Sequence, residues 1–449
     1  MKAIALILAA GAVRALAALA GLFVRRRDGI VLISCQYDEP SQDILDLRDE
    51  LESLIGSRRE YTPHGPIYHP ERPRIRVRSG RMRRSFGGAL LFFGRLCSML
   101  RAISASRIVV IDAYCMAFSI PKKRPGQKAV QLWHAPEAIK KFSWQIVDTP
   151  VGYGRKTAEV LCMHRNYDFI LCPSDATRPF FMESFGYLGD IFVKYGLPSL
   201  DRVGLMKRPA PGGMESPERV AARLAIHDRY PELSAAGGRP LTVVYAPTFR
   251  DGAAADAAGL VRGFLRTLDI TAASGHLYPW FVLVLKLHPF ESANLKETGG
   301  PVISDKDFPL INWYAAADVV ITDYSGVAVD AAAAGVASYY YIYDIDDYMA
   351  RRGLNVDMRE EAVGKYAFTD ADELAAQILN DFVRGPASTP DRDSYGGIKP
   401  DGCIYNKSDG KPGPASGYDY EALAAFRDKY LEVPLSGNTR ALAGFIAGL

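Results

Sequence analysis

With 449 residues, 48% of them hydrophobic and 11% aromatic, the chain is too apolar for a disordered polymer and too long for one ordinary core. The formal charge of +3 hides an asymmetry: residues 1–110 hold 18 Lys/Arg against 10 Asp/Glu, and the remainder 36 against 41. The first part is therefore expected to face something anionic, and with no recognised nucleic-acid module beside the charge, nucleic acid is not the expected partner.

Residues 3–24, AIALILAAGAVRALAALAGLFV, are apolar except for Arg14 and are closed by Arg25, Arg26 and Arg27. This pattern suits a helix lying in or dipping into the cytoplasmic leaflet, with the arginines on anionic headgroups. A cleaved signal peptide, a true span and a soluble packing helix are the alternatives. Against the signal peptide, the charges follow the apolar segment, and a core strand (29–35, GIVLISC) begins a few residues later.

A helix is expected at 41–55, capped by Ser41. Next come nine arginines, Arg58, Arg59, Arg72, Arg74, Arg76, Arg78, Arg81, Arg83 and Arg84. Arginine's planar fork suits phosphates, which points to a polyphosphate or anionic lipid; a solvated basic loop is the plain alternative. His64 and His69, among prolines and tyrosines, lack a third ligand at metal spacing and read as loop histidines.

An apolar helix is expected over 88–104, then strands at 107–113, 128–134 (ending in His134) and 167–174, with Asp175 capping a helix to Gly186. The Pro/Gly-rich stretch 205–217 reads as a linker. A second alternating set follows, with strands at 241–247, 281–289, 318–323 and 337–342 and helices at 258–273 and 325–335. Residues 385–418 read as loop and 420–449 as two helices. Such short buried strands between helices imply an α/β fold of two doubly wound Rossmann-like domains facing a cleft, of GT-B type. The division expected is 1–27 membrane-associating helix, 28–205 acceptor-side domain, 206–395 nucleotide-donor domain and 396–449 closing helices able to cross back to the first domain. The six cysteines, without CxxC spacing and several in apolar runs, read as reduced core residues of a cytosolic protein.

Two fragments carry the chemistry most directly. KLHP (286–289) and ITDYSG (321–326) each stand where an apolar run ends. Ligands of open α/β sheets bind outside the carboxyl ends of strands, and a helix start there offers N–H groups to phosphate. Lys286 and His288, two residues apart on a strand tip, share a face and can meet one diphosphate.

Four strand-end fragments, QLWHAPEAIKK (131–141), YAPTFRD (245–251), LKLHP (285–289) and ITDYSGVAVD (321–330), occur in this order. Together they resemble the CDP-glycerol glycerophosphotransferase family, the wall teichoic acid primases and polymerases. The likeness continues through YYYIYDIDDYMARRGL (339–354) and FRDKYLEVPLSGNTRALAGFI (426–446), covering roughly 105–449. It implies transfer of an alditol phosphate from CDP-glycerol or CDP-ribitol to a hydroxyl of a polyprenyl-diphosphate-linked acceptor, on the cytoplasmic face of the membrane. His134, in the family's WH motif, is the implied general base, although Ala135 replaces the family's following glycine. His288 is assigned to stabilising the transferring phosphate and Lys286 to neutralising charge.

Arg250 is a candidate phosphate clamp, with Thr248 as a hydroxyl donor. Ser325 and Gly326 are expected to hold the donor phosphates. Asp323 either meets substrate or caps the helix. Asp330 either accepts bonds from glycerol hydroxyls, steadies a cation or forms a structural ion pair, and Phe308 and Asn312 border the cytidine or serve as core and cap. No DxD motif occurs, so no metal or other cofactor is required by the sequence. Two other readings compete: a GT-B glycosyltransferase using a nucleotide sugar, and a membrane-bound binder of anionic polymers. The apolar N-terminus could also join two copies of the chain into a homo-oligomer.

Overall fold

The computed structural model describes residues 2–24, 29–56, 59–62, 65–68, 72–80, 86–210, 213–234, 240–248, 250, 256–273, 281–287, 301–384, 395–398, 404–406 and 417–449. The chain forms two compact units. Unit 1 comprises Met1–Asp201, Arg351–Asn355 and Tyr430–Leu449, and unit 2 comprises Arg202–Ala350 and Val356–Lys429.

Unit 1 is built on a parallel sheet ordered β4-β1-β5-β6-β7-β8. Its strands are β1 (Gly29–Ser34), β4 (Arg74–Ser79), β5 (Ile108–Ile111), β6 (Lys128–Gln131), β7 (Phe169–Leu171) and β8 (Phe192–Val193), with a hairpin of β2 (Arg59–Thr62) and β3 (Gly65–Tyr68) outside it. β1 is buried along its whole length, as a strand covered on both faces must be. On one face Val31, Ile33, Val109 and Ile111 pack with helices α1 (Lys2–Phe23) and α3 (Phe86–Ser104). On the other, Ile30, Leu32 and Val110 meet Ile44, Leu47 and Leu51 of α2 (Gln42–Ile55), whose helical spacing aims one stripe at the sheet. Leu442 and Ile446 of the last helix, Asn438–Gly448, fill the same face, so that helix belongs to unit 1, while the helix before it, Tyr420–Tyr430, lies in unit 2 up to Lys429.

Ala10 and Val13 of α1 are buried against α3, and Leu8, Leu22 and Phe23 are 67%, 79% and 84% exposed. The helix is therefore docked through its middle, with much apolar surface left over. Ile4–Phe23 is long and apolar enough to cross a membrane by composition.

Part of the arginine segment, for which a solvated loop is the plain alternative reading, is strand. β4 pairs in parallel with β1 from Gly29 against Arg74 to Ser34 against Ser79. Ile75 and Val77 pack with the α2 face, so alternation sends Arg74, Arg76 and Arg78 to the α1/α3 face. Gly29 permits this close pairing, because a Cβ there would lie 2.9 Å from the Arg74 carbonyl oxygen.

Unit 2 repeats the architecture with order β11-β10-β9-β12-β13-β14. The strands are β9 (Leu241–Tyr245), β10 (Phe281–Leu285), β11 (Val302–Ser304), β12 (Val319–Thr322), β13 (Ala337–Tyr341) and β14 (Ala367–Phe368). Chain order reverses between β9 and β12, making their carboxyl ends the switch point where such sheets bind ligands. The helix after β12, Val327–Ala334, is rich in alanine and ends on Gly335 in the left-handed conformation.

Strands end one to four residues before the boundaries read from sequence; beyond β5, for example, the Asp112 carboxylate binds Ser34, Cys35 and Ser41. Ser41 precedes α2 but makes no cap bond; its hydroxyl donates to Asp112 instead. Asp175 accepts from Lys194, and Thr177 occupies the cap position of helix Arg178–Phe185.

Candidate active site

The carboxyl rim of unit 1 is organised by Asp112, just beyond β5. Its 1% exposed carboxylate accepts bonds from Ser34 Oγ (2.6 Å), the Cys35 amide (2.9 Å) and Ser41 Oγ (2.9 Å). Burial pushes its pKa up, while those three donors favour the ionised form. The carbonyl of the same residue lies 3.3 Å from His134 Nδ1. A carbonyl only accepts, so in the neutral imidazole Nδ1 carries the proton and Nε2 presents its lone pair, the tautomer a base needs.

β6 ends at Gln131, so His134 stands three residues into the loop rather than at the strand's last position. Trp133, two residues past the strand, adopts φ +63°, unusual for a bulky residue. Its amide donates to Gln131 Oε1 at 2.9 Å, and its ring stacks on Phe142 at 4.7 Å and 22°. The His134 ring rests 4.0 Å from the Trp133 ring. Desolvation by this aromatic floor lowers the His134 pKa to about 4, against the Asp112 carbonyl bond and with a smaller push from Lys140. The residue keeps a solvent-exposed edge, so water relieves part of the penalty; the direction holds and the ring is neutral at pH 7. Below it, buried His164 meets Tyr167 Oη at 3.1 Å and is held neutral by burial and by His134, with a pKa of about 3. Trp133, Ser143, Asp148, Cys162, His164 and Asn166 are the positive-φ non-glycine residues among those described, so backbone strain gathers around this wall.

The loop after His134 is clipped from far along the chain. The Asn355 amide donates to Ile139 O (2.8 Å), its side chain to Ala138 O (2.9 Å), and Lys141 N donates to Gly353 O (3.2 Å). Gly353 sits at φ +82°, where a Cβ would press on Lys141 Cδ at 2.9 Å. Glu137, three residues past His134, is 6% exposed, and burial raises its pKa while Lys140 lowers it. None of Asp112, Glu137, His164 or Asn355 was singled out from sequence; the WHAPE run was the only signal pointing near them.

In unit 2, the switch point brings Thr248, Arg250 and Asp323 together. The Thr248 amide donates to both oxygens of fully buried Asp323 (2.9 and 3.1 Å), and Arg250 Nη1 donates to Asp323 Oδ2 at 2.7 Å. Arg250 Nε and Nη2 close a two-pronged pair with Asp344 at 2.7 and 2.9 Å, and the guanidinium lies 5.2 Å from the Tyr343 ring centre. Burial opposes its charge, but Asp344 and Asp323 outweigh it and push its pKa upward. The arginine expected to clamp a phosphate is thus a bolt between two carboxylates, and Asp323 neither caps the following helix nor opens to solvent. The Thr248 hydroxyl is buried without a partner among the described residues, so it remains able to donate.

Lys286, expected to neutralise a diphosphate, has its ammonium donors directed elsewhere. Nζ contacts Asp305 Oδ2 at 2.7 Å, Phe308 O at 2.6 Å and Asp305 O at 3.3 Å. Asp305 also accepts from Tyr230 Oη (2.6 Å) and Trp313 Nε1 (2.7 Å). Burial alone would raise its pKa; Lys286, Tyr230 and Trp313 lower it. His288 lies outside the described residues, as do His64 and His69.

Ser325 and Gly326 follow Asp323 on the switch-point turn, and Gly326 is the N-cap of Val327–Ala334. The first backward bond runs from Ala328 N to Ser325 O (3.1 Å), so the Ser325 and Gly326 amides precede the helical ladder. Asp330 is half-buried on that helix, near enough to Tyr314 to raise the phenol's pKa beyond the effect of burial. Asn312 is half-buried in the short helix Leu310–Trp313, next in sequence to Trp313, which donates to Asp305.

Two all-parallel doubly wound sheets, each with its polar cluster at the strands' carboxyl ends, define an α/β protein of GT-B type. Its backbone matches the wall teichoic acid polymerase TagF with TM-score 0.61 at 16% identity, over 97% of this chain and 93% of that one. The chain belongs to the CDP-glycerol:poly(glycerophosphate) glycerophosphotransferase family, whose model matches residues 93–393. It is 27% identical over 270 residues to a teichoic acid ribitol-phosphate primase of Bacillus spizizenii, covering 59% of this chain and 64% of that one. It is 26% identical over 279 residues to a teichoic acid glycerol-phosphate primase of Bacillus subtilis, covering 62% and 66%. The chain thus spans under two thirds of the length of these relatives.

Proposed function

We propose that the protein transfers glycerol phosphate, or a related polyol phosphate, from a CDP-linked donor to a hydroxyl of a polyprenyl-diphosphate-linked acceptor. The observation that carries this reading, within the family, is a neutral His134 whose Nδ1 is tied to the Asp112 carbonyl while Nε2 keeps its lone pair. Nε2 takes the acceptor's hydroxyl proton as the oxygen attacks the phosphorus bearing the polyol. The P–O bond to CMP breaks, and CMP departs with the bridging oxygen. This is phosphoryl transfer by positioning and charge stabilisation.

Unit 2 seats the donor. The Thr248 hydroxyl, the Ser325 hydroxyl and the Ser325 and Gly326 amides supply bonds to its phosphates, Asp330 faces the polyol, and Asn312 borders the base. His288 supplies the charge that stabilises the transferring group. Arg250 and Lys286 hold this rim in shape through Asp323, Asp344 and Asp305, which makes their contribution one of preorganisation.

The apolar surface left on α1 supports association with the cytoplasmic face of an anionic membrane, where a lipid-linked acceptor resides. A helix docked through Ala10 and Val13 lies on the surface rather than spanning it. Thermal unfolding with CDP-glycerol, CDP-ribitol and UDP-sugars tests the donor class, since a bound ligand stabilises by mass action. Stabilisation by a CDP-polyol supports the reading; stabilisation by a UDP-sugar alone overturns it in favour of glycosyl transfer.

A further inference from the structure

A second basic feature of unit 1 lies apart from the His134 rim. β4 is the sheet's edge strand, and Arg74, Arg76 and Arg78 project from one side of it toward α3. Arg101, in the last turn of α3, faces the same space. These four arginines line an open cavity of about 650 Å³ that is bordered by Phe23 and Val24, where α1 ends. Among the described lining residues there is no acid. Arg78 is steadied by Nε donating to Ser98 Oγ (2.9 Å) and Nη1 to Val77 O (2.7 Å).

We propose that this pocket binds the phosphate headgroup of an anionic phospholipid. The inference rests on the membrane-surface reading above and assigns it a site. Arginines at alternate positions of one strand stand roughly 7 Å apart, close enough for two neighbours to meet the oxygens of one phosphate. Their planar forks suit a phosphate diester's oxygens. The neighbouring α1 surface decides the source of that phosphate. Leu19, Leu22 and Phe23 are exposed on the turns leading to the pocket, and a helix with its apolar face in the acyl boundary places its end at headgroup depth.

The pocket is distinct from the proposed reaction centre. β4 stands three strand spacings from β6, roughly 14 Å across the sheet. The end of α1 and the last turn of α3 lie by the strands' amino ends, since they lead into β1 and β5, whereas His134 follows the carboxyl end of β6. A charged edge strand could serve merely to discourage strand pairing, but these side chains point into a cavity under α3 rather than outward along the edge.

The test is flotation of the full chain with vesicles of phosphatidylcholine alone, or of phosphatidylcholine and phosphatidylglycerol in equal parts, at low salt. Arg74 and Arg101 are exposed, so Arg74→Gln/Arg101→Gln should fold; an unchanged melting temperature checks this. Each lost charge should weaken binding to the anionic vesicles about fivefold, so about 25-fold for the pair. Binding to phosphatidylcholine alone, carried by α1, should not change. Arg155→Gln, at a side chain 65% exposed elsewhere in unit 1, should leave both unchanged. Equal binding of wild type and double variant to anionic vesicles overturns the pocket while leaving the membrane reading intact. Failure of the wild type to bind either vesicle overturns both. If inorganic phosphate raises the melting temperature of wild type but not of the double variant, and vesicle binding is the same for both, the site takes free phosphate and the lipid assignment is wrong.

Discussion

Replacing Arg250 by Gln separates the bolt from the clamp. The guanidinium, with its side chain 7% exposed, joins Asp323, whose side chain is fully buried, to Asp344, whose side chain is 19% exposed. Glutamine keeps some bulk but neutralises neither carboxylate. Breaking a buried ion pair by removing one partner costs about 3–5 kcal/mol. For a unit of this size, about 2–4 °C is lost per kcal/mol, so its transition should fall by roughly 6–20 °C. Two units invite two transitions, so calorimetry that resolves them is the assay rather than a single unfolding free energy. Asp323→Asn in the same background should cost less than it does alone, because the charge stranded by the first change is gone; the coupling should exceed roughly 0.5 kcal/mol. If Arg250→Gln leaves the transition in place and only raises KM for the donor, the side chain is a phosphate ligand and the structural argument is refuted.

Three further outcomes follow from the same geometry. His134→Ala should lower turnover by about 10²–10⁴-fold, the usual range for a lost general base, with little change in melting temperature. The base works only when neutral and its pKa is lowered toward about 4, so activity should persist as pH falls past the ordinary histidine value of about 6.5; an acid limb centred at or above that value in kcat/KM against pH would contradict the assignment. Lys286→Met should strip Asp305 of its cation and destabilise unit 2 by about 3 kcal/mol. Asp305's folded pKa is depressed, so the stability it adds is present above its unfolded value near 4 and is lost as pH falls through the folded one; the variant should lose most above pH 5 and least at pH 3, as seen in melting curves. Gly353→Ala, at φ +82° against Lys141, should cost more than about 1 kcal/mol and speed amide exchange over 138–141, while unaltered exchange there would show that the clip does not hold the loop.

Much of the fold was legible because buried parallel strands are written as apolar runs: GIVLIS, IVVI, LTVVY, FVLVL and VVIT each appear as expected. β4 was not, because RIRVRS puts arginine at every second position and reads as a solvated loop until α3 is known to lie over it. The site was half legible. A cation at a strand tip looks the same in sequence whether it awaits a phosphate or is already paired. Arg250's partner Asp344 is 94 residues away and Lys286's partner Asp305 is 19 away, and neither spacing carries a local signal. Asn355, which steadies the loop after His134, reaches Ala138 across 217 residues. Asp112 escaped notice because it ends an ordinary apolar strand, and its importance lies in three donors arriving from β1 and the start of α2.

Mass spectrometry of the product from CDP-glycerol and a short polyprenyl-diphosphate-linked acceptor, run with wild type and His134→Ala side by side, tests the central claim most directly. The account predicts an acceptor heavier by glycerol phosphate units, CMP in matching amount, and both formed at least about a hundredfold more slowly by the variant. An acceptor that gains no glycerol phosphate, or a variant that turns over as fast as wild type, would contradict it.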